Sequence, residues 1–172
     1  VGIIAEVDES RIETRRRQGW VEHVTDSCEG AFGLAEKAMA QGQPCSIAYH
    51  GNIVDLLAHA VDTNRHIDLV SDQTSCHVAH DGGYCPQGIS FEERTRMLAE
   101  DSERFRKLVN RSLQKHYDCI CKLHARGAFT VEESRQILLA GLLAGLKPKC
   151  HSDEIDTIGK KRGNSNFGGN DE

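Results

Sequence analysis

The chain has 172 residues, enough to bury the core of one domain with or without a tail. Its formal net charge of −5 argues against nucleic acid as a general electrostatic partner, and no apolar run of about 20 residues is available to cross a bilayer. Seven cysteines at scattered spacings fit free thiols of a reducing compartment better than a disulfide framework. No signal peptide is read at the start, so the expected location is cytoplasmic.

In chain order, Val1-Gly2-Ile3-Ile4-Ala5-Glu6-Val7-Asp8 reads as a strand that ends in acidic residues and runs into a helix. The second strand of a dinucleotide-binding unit has this form, its acid accepting hydrogen bonds from the adenosine ribose. No G-x-G-x-x-G occurs in the sequence, so the usual pyrophosphate cradle has no counterpart, and we expect a fragment, a truncated gene or a mis-assembled reading frame. Charges are dense from Glu9 to Gln18, with Arg11, Arg15, Arg16 and Arg17, as on a solvated helix face. Trp20, the sole tryptophan, is expected to pack where this helix meets the sheet. A second helix is predicted over 27–41, its stripe formed by Ala31, Leu34, Ala35, Ala38 and Met39. Gly42-Gln43-Pro44 stops it.

Cys45-Ser46-Ile47-Ala48-Tyr49 is the next predicted strand, with His50-Gly51-Asn52 at its carboxyl end. The helix that follows carries Ile53, Leu56, Leu57, Ala60 and Val61 on one side, and Asn52 is placed to cap it. His23, His59 and His66 read as surface residues. A short apolar run, Ile67-Asp68-Leu69-Val70, makes a third strand. Strands at about 1–8, 44–50 and 67–71 alternating with helices predict an α/β fold, with parallel strands joined by right-handed crossovers.

From Asp72 to Pro86 the chain reads D-Q-T-S-C-H-V-A-H-D-G-G-Y-C-P. Hydroxyls, an amide, imidazoles, two glycines and an aromatic follow a strand, where an open α/β sheet places its ligand. A polar loop without a role is the plain alternative. Ser90-Phe91-Glu92-Glu93 is a capping box for a helix to about Ala99. A longer helix is predicted over 102–125, its buried face formed by Phe105, Leu108, Val109, Leu113, Tyr117, Ile120 and Leu123. Arg126-Gly127 ends it, and Cys119 and Cys121 point in different directions. Thr130-Val131-Glu132-Glu133 is again a capping box, predicting a leucine-rich helix over 131–146, and 147–172 has the composition of a disordered tail.

The stretch D-Q-T-S-C-H, then G-Y-C-P-Q-G with S-F-E-E behind it, resembles the D-Q-T-S-A-H…N-G-Y-x-P-x-G segment of urocanase (urocanate hydratase). E-V-D-E-S-R from Glu6, G-N-I from Gly51 and A-R-G-A-F-T ending at Thr130 fall in family order. The resemblance covers about residues 1–130 and implies a Rossmann-like parallel sheet with flanking helices, lacking the first strand and Gly-rich turn. It further implies NAD as cofactor, contacted by Glu6, Arg11, Asn52, Ile53, Gln73, Thr74, Ser75, Cys76, His77, Tyr84 and Cys85. In that family NAD+ acts as an electrophile while water adds to urocanate, giving imidazolone propionate in histidine degradation. A homodimer is implied for the complete enzyme. The sequence departs from the pattern at Cys76, where alanine is usual, at Cys85, where an aliphatic is usual, and at Ile53; one extra residue lies between His77 and Tyr84. Past Thr130 the family's D-Y-G-N is replaced by Val131-Glu132-Glu133-Ser134, and none of the cysteines has the context of the family's active-site cysteine.

Four functions follow from these readings. The chain is the NAD-binding part of a urocanate hydratase, inactive alone; or a non-catalytic remnant of that ancestry, acting as an interaction module or doing nothing. Alternatively Cys76, His77, His80 and Cys85 gather a zinc ion, at spacings that match no usual zinc pattern. Last, Cys28 beside the helix start at Ser27 serves as a redox thiol, against the plainer reading of a half-buried inert cysteine.

Overall fold

In the computed structural model, residues 1–72 and 76–130 are described, with Cys76 and His77 as backbone only. The central strand is β3 (Ser46–His50), where Ile47 and Tyr49 alternate with Ala48. Successive side chains of a strand face opposite sides, and here both sides are covered. Ile47 and Tyr49 enter the main core with Ala31, Phe32 and Ala35, while Ala48 joins Ile12 and Val21 in a small second cluster. On one flank lies β1 (Gly2–Glu6), parallel to β3 with Ile4 opposite Ala48. On the other lies β2 (His23–Thr25), also parallel, with Val24 opposite Ala48. The order is therefore β1-β3-β2.

Each crossover helix is started by a side-chain cap. α1 (Glu9–Arg17) is capped by Asp8, α2 (Cys28–Ala40) by Ser27 and α3 (Ile53–Asp62) by Asn52. Such a cap satisfies an amide that the helix itself leaves without a partner, contributing roughly 1 kcal/mol. α1 presents only Ile12 to the interior, consistent with its run of arginines. α2 buries Ala31, Phe32, Ala35 and Ala38, whereas Met39, expected on this stripe, is 56% exposed. Phe32 takes its place because its ring stacks on His59 of α3, centroids 5.7 Å apart. His59 is thereby drawn in, its side chain 24% exposed and its Nε2 3.1 Å from Glu29 Oε2, so it is not the plain surface residue expected. Trp20 departs in the opposite sense: it is 68% exposed and does not wedge between helix and sheet.

The third expected strand forms but joins a different sheet. β4 (Leu69–Val70) pairs in parallel with β5 (Phe129–Thr130), not with β3. The reason lies in α5 (Ser102–Ala125), which packs against α3 and ends at Arg126-Gly127, with Gly127 at φ +100°. That turn brings Phe129 back beside Asp68, whose carbonyl accepts the Phe129 amide at 2.8 Å. Between β4 and α4 (Phe91–Glu100) runs the loop singled out from the sequence, a 3-10 stretch over Cys76–Asp81 kinked at Val78. Ser90 caps α4 through the Glu93 amide, 3.1 Å from its hydroxyl, as the capping-box spacing predicts. α5 buries Phe105, Val109, Leu113, Tyr117, Ile120 and Leu123 from the predicted face, and His116 with them. No described helix is long and apolar enough to cross a membrane. The leucine-rich segment at 131–146 and the tail beyond it lie outside the described residues.

Candidate functional site

The carboxyl ends of β1 and β3 meet at a backbone hydrogen bond, Gly51 N–H to the Glu6 carbonyl at 3.0 Å. Glu6 is fixed where it stands. Its Oε1 accepts the amides of Val7 at 3.0 Å and Asp8 at 3.1 Å, and its Oε2 accepts from Arg15 at 3.3 Å. A carboxylate in that turn is oriented before any ligand arrives. Arg11 does not touch Glu6: it is paired with Asp8 at 3.4 Å, and its side chain is 64% exposed. Arg15, expected on the solvated face, is the arginine that reaches the acid. Asp8 caps α1, and the Ser10 hydroxyl at 2.6 Å, helped by the Ser10 amide, holds its carboxyl below the usual range.

Asn52 connects this edge to the loop. Its Oδ1 accepts the Val54 amide at 2.9 Å as the cap of α3, and its Nδ2 donates to the Cys85 carbonyl at 2.8 Å. Neighbouring Ile53 is partly buried against the main core. Glycine at 51 leaves room for the Tyr49 ring, which a Cβ there would force to shift. Gln87, just past the loop, donates to Asp55 on α3 from its amide side chain.

The other side of the loop stands on α5. His80 Nε2 lies 2.7 Å from Asn110 Oδ1, the Gln87 amide donates to the Ser112 hydroxyl at 2.8 Å, and Lys115 Nζ donates to Gln87 Oε1 at 3.2 Å. Deepest is a trio: the Tyr84 hydroxyl lies 3.4 Å from His116 Nδ1, and His116 Nε2 lies 2.9 Å from Asp72 Oδ2. The latter is an ion-pair separation whose ring N–H is not aligned along it. Tyr84 is 1% exposed and His116 0%. The sequence reading found Tyr84 and missed His116. Its position three residues after Leu113 and four before Ile120, on the buried face of α5, was the available signal.

Burial pushes the Cys85 thiol up, against the opposing pull of the Arg94 guanidinium, and burial likewise pushes up Cys119. Neither is an activated nucleophile. Cys85 Sγ lies 3.9 Å from the carbonyls of Pro86 and Ile89. Of the four-residue zinc grouping, His80 has its Nε2 on Asn110, and only His80 and Cys85 have described side chains. Gln73, Thr74 and Ser75 lie outside the described residues, as do the side chains of Cys76 and His77. Away from this edge, a shallow open hollow of about 300 Å³ lies at the amino ends of the strands, lined by Gly2, Gly19, Glu22, Pro44 and Cys45 among others. It touches none of the residues above.

An acid at the carboxyl end of a parallel strand, beside a polar loop braced by two helices, is the layout of a nucleotide site in a doubly wound sheet. A family model, the urocanase Rossmann-like domain, matches residues 1–156. The chain belongs to the urocanase family. The urocanase match runs past Thr130, where the likeness read from individual motifs stops. Urocanate hydratases of Mus musculus and Homo sapiens are each 38% identical over 150 residues, covering 84% of this chain and 22% of their own length. A probable urocanate hydratase of Caenorhabditis elegans is 32% identical over 146 residues, at the same two coverages. The chain thus spans about a fifth, 22%, of the urocanase-family relatives it matches.

Proposed function

We propose that this chain is the NAD-holding part of a urocanate hydratase and that, by itself, it does not hydrate urocanate. The observation that carries the reading is the fixed carboxylate of Glu6 at the carboxyl end of β1, next to the loop tethered through Asn52. When bound, NAD+ would supply the electrophilic ring that the family uses in adding water to urocanate. The residues here would bind and orient it, and the complete enzyme would be a cytoplasmic homodimer.

Glu6 fits the ribose: three donors occupy it, and two carboxylate oxygens offer about four lone-pair sites, which leaves room for a hydroxyl. Asn52 retains one amide hydrogen beyond its two bonds. Tyr84, with its hydroxyl at His116, shapes the loop from beneath. Arg11, at 64% side-chain exposure, is free enough to swing from Asp8 to a phosphate. The pyrophosphate is less well served. The start of α1, which would offer amides to an anion, is capped by the Asp8 carboxylate. Charge-assisted hydrogen bonds contribute roughly 1.5–3 kcal/mol each, so each phosphate bond not made weakens cofactor binding by about tenfold or more.

The test is a titration of the 172-residue chain with NAD+, followed by amide chemical shifts. The expected result is purification without bound cofactor and no calorimetric heat at submillimolar NAD+. At millimolar NAD+, shifts confined to Val7, Asp8, Gly51 and Asn52 are expected, and Glu6→Ala should abolish them. Shifts around Gly19 and Pro44, or none at the carboxyl edge, would overturn the reading. Stoichiometric NAD+ in the purified chain would overturn the weak-binding part.

A further inference from the structure

The loop between β4 and α4 is anchored at both ends by one side chain. Asp72 lies at its start and Tyr84 near its end, and the His116 imidazole reaches both, 2.9 Å to the carboxylate and 3.4 Å to the hydroxyl. All three are shut away from solvent: the side chains of His116 and Asp72 are 0% and 4% exposed, and Tyr84 is 1% exposed.

We propose that His116 is a positioning residue, clamping the described flanks of the ligand loop, 68–72 and 78–87, to α5 before a cofactor arrives. Burying an imidazole, a carboxylate and a phenol together is unfavourable unless each satisfies another. An apolar side chain would fill this place on α5 at less cost, as Leu113 and Ile120 do on the same face. The polar choice has one consequence an apolar one lacks: one side chain lies beside a carboxylate at one end of the loop and hydrogen-bonds a hydroxyl near the other. An imidazole offers a nitrogen to each, close-range charge attraction toward Asp72 and a hydrogen bond toward Tyr84, and so ties both ends of the loop to α5. The tilt of 39° between the His116 and Tyr84 rings, with centroids 6.2 Å apart, sets Tyr84 beside the imidazole and not stacked on it. The remaining ties, His80 to Asn110 and Gln87 to Ser112, land on the same helix and hold residues 80 and 87 against it.

The clamp rests on the cofactor reading only for its purpose; its existence is measured without NAD+. Amide exchange is followed in the whole chain for wild type, His116→Phe, His116→Gln and a packing control, Leu113→Ala. With His116→Phe, exchange in peptides covering 68–72 and 78–87 should rise about tenfold, equivalent to about 1.4 kcal/mol of local opening, while β1 and β3 stay protected. His116→Gln, whose amide offers a donor and an acceptor, should restore most of that protection. Leu113→Ala should raise exchange in α3 and α5 together, without singling out the loop. If His116→Phe does not fold, Tyr84→Phe removes the hydroxyl alone and should loosen 78–87 while leaving 68–72 protected. Exchange that rises uniformly, or a Gln variant as loose as the Phe variant, would show that His116 merely fills space and would overturn the clamp. If the clamp holds in exchange but NAD+ shifts no amide, the failure belongs to the cofactor reading. If both hold, the millimolar NAD+ shifts should vanish in His116→Phe and return in His116→Gln.

Discussion

Replacing Asn52 by alanine removes two interactions that serve different purposes. One is the cap: its Oδ1 accepts the Val54 amide at 2.9 Å, and losing such a cap costs roughly 1 kcal/mol. The other is the tether: its Nδ2 donates to the Cys85 carbonyl at 2.8 Å. That bond contributes roughly 1 kcal/mol, more if the carbonyl is left without a partner. Asn52 is 7% exposed, so water cannot readily replace either. The sum is about 2 kcal/mol, and a chain of this size loses about 2–4 °C of melting temperature per kcal/mol, so a drop of about 4–8 °C is expected. Asn52→Asp separates the two parts. It keeps a cap acceptor but turns an oxygen toward the Cys85 carbonyl, so it should restore the start of α3 and leave the loop untethered. Urea unfolding at constant m, with exchange at 78–87 as the local readout, measures both. A stability change below about 0.5 kcal/mol for Asn52→Ala, within the range of an inconsequential surface substitution, would refute the reasoning. So would an Asn52→Asp variant with wild-type protection in the loop.

Other expectations follow from single contacts. Gly51→Ala puts a Cβ 2.3 Å from the Tyr49 ring, which is itself only 7% exposed, and should destabilise by about 1–3 kcal/mol in urea titrations. Gly82→Ala meets Leu98 at 2.8 Å in a backbone at φ +96°, and should open the loop in exchange measurements more than it lowers global stability. On the acid side, Arg65 first and His59 second hold the Glu29 carboxyl below the usual range. A lowered folded pKa contributes stability above the unfolded value, lost as pH falls through the folded one. Stability should therefore decline below about pH 4.3, the unfolded carboxyl value, and Arg65→Met should flatten part of that decline. Cys119, 5% exposed with its thiol pushed up by burial, should be alkylated more slowly than Cys28 or Cys45 when labelling is read by mass spectrometry.

What local patterns determine was legible in the chain. A cap needs only the residue and the next three or so, so Ser27, Asn52 and Ser90 announced their helices, and each side chain accepts the amide its spacing predicts. The buried face of α5 was readable for the same reason, a period of 3-to-4 sustained over many turns. The motif from Asp72 to Pro86 pointed to the family before any contact was known. Which strand pairs with which was not readable, because pairing is decided between residues far apart. His23-Val24-Thr25 is too short to show a period, and becomes a strand because β3 offers it an edge. Leu69-Val70 looked like a third member of the main sheet, but α5 returns the chain so that Phe129 and Thr130 reach it instead. The same holds at the site. Arginines at 11 and 15 are alike in sequence, and only the packing of α1 on the sheet turns Arg15 to Glu6 and leaves Arg11 with Asp8. A histidine amid leucines and isoleucines signals burial, but its partners, Asp72 and Tyr84, lie 44 and 32 positions earlier. Sequence by itself settled the family and, among the described residues, the helices and most of their starts. The tertiary fold decided sheet membership and side-chain partners, since these depend on which distant segments share one interior.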